Sequence, residues 1–188
     1  MFYPVPPRVQ LDDAEYSLAV EASSEVRDTA AHIVSASLCR FRALLSKGWS
    51  PRTAYPGSVD LGRWVPGDPS GQCGVSAAWL AEELASTYGI ESTFCRGNLF
   101  FGSRKEHDLI DHCWLELSDA EGETLVLDLT CDQANGFDKQ FLLESKKALV
   151  KENVWFVTRD RVSRTELPKN RVWPRYNMLL RNLQGASD

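Results

Sequence analysis

Ser70-Gly71-Gln72-Cys73-Gly74-Val75-Ser76-Ala77-Ala78-Trp79-Leu80-Ala81-Glu82-Glu83-Leu84 passes from a glycine-bearing loop into an unbroken helical run. The run from 75 to 88 holds no Gly or Pro and closes at Gly89, so it predicts a helix that begins at or just after Cys73. A cysteine at that point gains from the first turn's unpaired N–H groups and from the positive end of the helix dipole, both of which favour thiolate over thiol. The same N–H groups can receive the oxyanion of a tetrahedral intermediate. Gly71 and Gly74 are expected to leave the thiol open to a substrate backbone. Gln72 has two readings, a side-chain amide lent to the oxyanion hole or a lead-in residue facing solvent.

Beyond Gly89 the pattern turns to strands, at 92–101, 109–117 and 124–129, with the polar turn 118–123 between the last two. In Asp111-His112-Cys113-Trp114-Leu115-Glu116-Leu117, alternation puts His112, Trp114 and Glu116 on one face and Cys113, Leu115 and Leu117 on the other. The second face is apolar and belongs to the core. His112 is thereby expected to face away from the main apolar layer, where it can meet the helix start and act as base toward a thiol. Trp114 either packs or walls the site. In Val126-Leu127-Asp128-Leu129-Thr130, an aspartate interrupts an apolar strand, which is costly unless it is hydrogen-bonded or paired. A hairpin would bring Asp128 beside the His112 strand, where it can fix the imidazole's tautomer; the alternative is a strand-end Asp capping the next turn. A helix over 137–149, a strand over 154–158 and a terminal helix over 174–183 complete the expectations. Helices first and then a meander of strands is an α+β order.

Upstream, the first dozen residues are Pro-rich, and 12–47 favours helix, with Val26, Ala30, Ile33, Leu38, Phe41 and Leu45 forming one apolar stripe and Gly48 a stop signal. His32 and Cys39 lie in that helix and read as packed positions. The segment 47–71, rich in Gly, Pro, Ser and Trp, reads as a long irregular loop of the kind that often carries function.

The chain of 188 residues is read as one domain, 1–188. Its net charge of −5, from 21 basic against 26 acidic residues and without a basic block, argues against a nucleic-acid partner. No signal peptide and no apolar stretch near the ~20 residues of a bilayer span can be seen, so a soluble, cytoplasmic protein is expected. Five cysteines with no CxxC pair, and histidines at no zinc-finger spacing, suggest neither a disulfide framework nor structural zinc.

Gly71-Gln72-Cys73-Gly74 opening a helix, then His112-Cys113-Trp114-Leu115-Glu116, then Leu127-Asp128-Leu129-Thr130, resembles the transglutaminase-like superfamily of papain-like fold. The match spans Gly71 to Gln133, about a third of the chain. The resemblance implies a Cys-bearing helix packed on an antiparallel sheet, here with an additional N-terminal helix. It implies Cys73 as nucleophile, His112 as acid/base and Asp128 as orienting carboxylate; the reading of the residues themselves adds Gln72, Gly74 and Trp114 as candidates for the oxyanion or substrate side. No cofactor or metal is called for. Two departures stand out: many members carry an aromatic residue after the Cys where this chain has Gly74, and the R-G-G-x-C lead-in of arylamine acetyltransferases is missing.

Among other candidates, His107 is a weaker base in a polar loop, Cys113 points to the core, and Cys131 could lie near the site as a redox partner of Cys73. Glu116 is placed too far along its strand to touch the thiol, and Arg159, Arg161 and Arg164 read as a solvated face. The leading expectation is a thiol-dependent enzyme acting on a peptide or glutamine-type amide through a thioester, with a peptidase, deamidase or transglutaminase outcome. The alternative is a binding or scaffolding module on the same fold with an idle triad. A metal site on Cys73 and His112 is disfavoured for want of further ligands.

Overall fold

The apolar spacing of four, three and four in Val34, Leu38, Phe41 and Leu45 produces a helix with one buried face, and a computed structural model places that helix, α1, at 34–48. The structure describes residues 32, 34–102, 109–118, 121–134 and 137–185. Val26, Ala30, Ile33 and the expected helical segment before 32 lie outside the described residues, as does His107. Residues 49–72 form turns and bends without helix or strand, as their composition predicts. The helix α2 follows at Cys73–Tyr88 and ends on Gly89, whose left-handed backbone (φ 67°) lets its N–H close the last turn.

Strands β1 (Thr93–Phe101), β2 (Leu109–Ser118), β3 (Thr124–Asp128), β4 (Leu142–Ser145) and β5 (Val154–Ser163) build one sheet in the order β4-β3-β2-β1-β5. Every neighbouring pair is antiparallel, so the molecule is α+β. Helix α3 (Lys146–Lys151) links β4 to β5, and α4 (Trp173–Gly185) packs against α2. Phe41, Leu80, Leu84, Leu115, Leu127 and Leu179 belong to a larger buried cluster between the helices and the sheet. Cys95, Leu99, Trp114, Val126 and Phe156 belong to a smaller one on the sheet's other face.

Two expectations are corrected. The segment 137–149 is not one helix: Leu142 and Leu143 pair with Asp128 and Leu127 as β4, and only after Ser145, whose side chain accepts from the Ala148 N–H, does a six-residue helix start. Pairing along β1 extends the last strand beyond 158, to Ser163. The arginines of that region keep to the solvated face expected of them: Arg159 and Arg161 are exposed and Arg164 is half-buried, and there Arg159 pairs with Asp111, Arg161 with Glu116, and Arg164 with Glu82 and Glu91.

Candidate active site

Gly71 sets the angle at which the chain enters α2. Its φ is +69°, and a Cβ there would stand 1.9 Å from Ser58 Oγ and 3.1 Å from the Tyr55 amide nitrogen. The bend is tied on both sides: Tyr55 N–H donates to the Gly71 carbonyl (2.8 Å), and Gly71 N–H donates to Gln133 Oε1 (3.0 Å). Gln72 is fully buried, and its amide braces the loop. Thr53 Oγ1 donates to Oε1 (2.8 Å), and Nε2 donates to the Ser50 carbonyl (2.9 Å). That geometry matches neither reading made from sequence. The first helical hydrogen bond runs from Ser76 N–H to the Gln72 carbonyl (3.0 Å), so the Cys73, Gly74 and Val75 amides precede it at the helix start.

On β2, His112 is 2% exposed and backed by Trp114, whose ring lies 6.2 Å away at an interplanar angle of 23°. The expectation that this face stands clear of apolar packing is therefore corrected, because the sheet is buried on both faces. Trp114 is a packing residue, edge-on to Phe156 at 5.1 Å, and it fixes the imidazole from behind.

Asp128 serves both of its sequence readings at once. Oδ2 lies 2.6 Å from His112 Nε2, while Oδ1 accepts from the Thr130 N–H (2.8 Å) and hydroxyl (3.0 Å). A carboxylate held at three points orients the imidazole and leaves Nδ1 as the nitrogen that can exchange a proton with a thiol. Beyond it, Arg42 of α1 donates to the Leu129 carbonyl and pairs with Asp132 at 2.6 Å, which fastens the end of β3 to α1.

The half-buried Cys73 stands beside Cys113 and His112. The Cys113 thiol first, and then the imidazole, hold its pKa well below the ordinary thiol value against the opposing effect of burial. Cys113 shifts the other way, upward, because its hydrogen bond to Cys73 and its burial both favour the thiol. Of the two sulfurs only Cys73 sits at a helix N-terminus, so the charge belongs there and Cys113 keeps its proton. His112 is pushed up to about 10: burial opposes its charge, and the carboxylate of Asp128, joined by Cys73, outweighs burial. These directions favour a thiolate on Cys73 beside an imidazolium on His112.

Cys113 is the part of this site that sequence reasoning missed. Alternation did send it toward the helix side, but that is also where the start of α2 lies: a Cβ on Gly74 would be 3.8 Å from Cys113 Sγ. The same test corrects the view of Gly74 as open space, since its Cβ would meet Val172 Cγ2 at 3.2 Å and Arg175 Nη2 at 3.9 Å. Val172 fills the place where an aromatic residue after the Cys would go. Glu116 does stay away from the thiol; it pairs with Lys146 and Arg161 and accepts from Thr158 Oγ1, which together bring it down to about 2 against burial. Cys131 donates to the Lys139 carbonyl (3.0 Å), and burial pushes it well above the thiol range; Cys39 on α1 and His32 ahead of it are exposed, which corrects their reading as packed positions.

Cys73 opens on a cleft of about 560 Å³, lined by residues of the 49–72 loop, β1, β2, β5 and the start of α4. Among the described residues no three His, Cys, Asp or Glu side chains converge on a metal position, and no helix is long and apolar enough to cross a membrane. Compared with known proteins, the chain matches no family model, no curated protein and no solved structure.

Proposed function

We propose that this protein is a thiol-dependent acyl-transfer enzyme of papain-like, transglutaminase-like architecture that acts on peptide or glutamine-type amides. The observation that carries the reading is the buried His112–Asp128 pair, 2.6 Å apart, next to Cys73 at the start of a helix, where the thiol's pKa is held low. A thiolate made ready by a charged neighbour is the ordinary means of activating a cysteine nucleophile.

The Cys73 sulfur attacks the amide carbon, and the carbonyl electrons move to oxygen, which the amides at the α2 N-terminus can receive. When the tetrahedral intermediate collapses, the C–N bond breaks and the His112 imidazolium gives its proton to the departing amine. A thioester remains on Cys73 beside a neutral imidazole. His112 then takes a proton from water or from an acceptor amine as that molecule attacks the thioester, and the thiolate-imidazolium pair is restored. Asp128 keeps the imidazole in one tautomer and orientation throughout.

The test uses 4-nitrophenyl acetate, an activated acyl donor that needs no substrate recognition. A burst of nitrophenolate is expected, with an acetyl group on Cys73 seen by peptide mass spectrometry. The burst is absent in Cys73→Ala and slower by about 10²–10⁴-fold in His112→Ala. A Cys73 that iodoacetamide reaches, but that shows no burst and is alkylated no faster than Cys39 below pH 8, would overturn the reading in favour of an idle binding module.

A further inference from the structure

The cleft beside Cys73 is out of keeping with the charge of the molecule. The chain carries −5 overall, yet five cations, Arg96, Arg161, Lys169, Arg171 and Arg175, line this cleft against two carboxylates, Asp111 and Asp160. Two of the cations are accounted for: Arg96 pairs with Asp111 (2.8 Å) and Asp160 (3.6 Å), and Arg161 with Glu116 (3.1 Å). Among the described residues, no carboxylate pairs with Lys169, Arg171 or Arg175.

Arg175 is the most informative of the three. It sits in the first turn of α4, with Nη2 3.9 Å from where a Cβ of Gly74 would be, one residue from the nucleophile. Nη1 is buried and has no hydrogen-bond partner. Arg171 and Arg175 both stack on the Tyr55 ring, at 5.2 and 5.3 Å, so two like charges are held together by one aromatic residue. A buried guanidinium N–H with no partner among the described residues, and two cations on one ring with no carboxylate between them, are each unfavourable unless a counter-ion joins them. A single anion placed between them relieves both, and a planar guanidinium fork is suited to a carboxylate.

We infer that the cleft selects amides that carry a carboxylate within about one residue of the reacting carbonyl, held by Arg175 and Arg171. This rests on Cys73 being the nucleophile proposed above, and it adds the class of substrate. The residues that set it come from the turn before α4 and from its first turn, while the 49–72 loop supplies the aromatic platform.

Two alkylating reagents of nearly the same size test it, anionic iodoacetate and neutral iodoacetamide, with rates read at Cys73 by peptide mass spectrometry on the full chain. Because an imidazolium also attracts iodoacetate, the decisive comparison is between variants and not with an ordinary thiol. The ratio of iodoacetate to iodoacetamide rates should fall about tenfold in Arg175→Gln, equivalent to ~1.4 kcal/mol. It should fall further in Arg171→Glu and be largely kept in Arg175→Lys. Arg171 is exposed, so its variants report even where Arg175→Gln fails to fold. An unchanged ratio in both the Arg171 and Arg175 variants overturns the inference, and so does an equal slowing of both reagents, which would place Arg175 on the thiolate and not on the ligand. In either case rapid iodoacetamide labelling of Cys73 below pH 8 leaves the acyl-transfer reading standing. Loss of that labelling in the wild type sinks the reading itself.

Discussion

Under the proposed function, the protonation states of Cys73 and His112 set a pH window. Acyl transfer needs Cys73 as thiolate and His112 as imidazolium. The Cys73 pKa is lowered, chiefly by Cys113 and then by His112, and His112 is raised to about 10, with Asp128 overcoming burial. The rate should therefore rise with pH through a value below the ordinary thiol range and fall as pH passes about 10, where the imidazolium is lost. Asp128→Asn keeps an oxygen for His112 but removes the charge that retains its proton. The descending limb should then move down toward the ordinary imidazole value of about 6.5. Acylation by a 4-nitroanilide, whose amine leaves only with a proton, followed against pH measures this directly. A descending limb that stays near 10 in Asp128→Asn would show that Asp128 does not hold the proton on His112. All three residues were legible in the chain because each broke a local pattern: a Cys at a helix start, a His on an alternating strand, an Asp in an apolar run. Cys113 was not, because it obeyed its pattern, and nothing local tells a core thiol from one that meets the nucleophile.

At the scale of elements, the direction in which α2 leaves the loop decides whether the thiolate faces the imidazole. Gly71 carries that geometry, with a left-handed φ and a neighbouring Ser58 side chain and Tyr55 backbone that leave no room for a Cβ. Gly71→Ala should cost about 2 kcal/mol or more in urea unfolding, since it adds both strain and a clash against backbone. The same substitution should abolish the acetylation burst even where the fold survives, because the loop bonds to Tyr55 and Gln133 are the ones it disturbs. A variant that unfolds at wild-type urea and retains its burst would mean that the bend does not position Cys73. The helix itself was plain in the sequence, from its unbroken run and its closing Gly89, and so were the first three strands. The expected helix over 137–149 failed because Leu142 and Leu143 serve a strand whose partner, β3, lies at a distance no local window spans. Apolar runs this short fit either period until their partner is known.

At the scale of the molecule, a sheet read from its sequence as having one core face has two. Cys113, Leu115 and Leu117 face the core on the side of α2, the apolar side expected of them, but Trp114, Val126 and Phe156 make a second cluster behind His112. The second layer was hidden because its residues are scattered over β1, β2, β3, β5 and the chain after β3, with no single amphipathic stretch to betray it. The cleft was hidden for the same reason, since Arg175 and Tyr55 are 120 residues apart in sequence and meet only in the fold. Two clusters that share one sheet should not melt separately. Leu115→Ala, in the first cluster, should lower stability by about 2–5 kcal/mol and Val126→Ala, in the second, by about 1–3 kcal/mol. Both should shift a single urea transition, seen at the same midpoint by far-UV circular dichroism, tryptophan fluorescence and the exposure of Cys95 to a thiol reagent. Cys95 is the useful probe, being fully buried in the second cluster and pushed up to about 12, chiefly by burial, so that it reacts only when that layer opens. If Val126→Ala exposes Cys95 at a lower urea concentration than the loss of helix, the second layer opens on its own. His112 would then rest on a support that yields before the rest of the fold, and the burst should disappear at that lower concentration too.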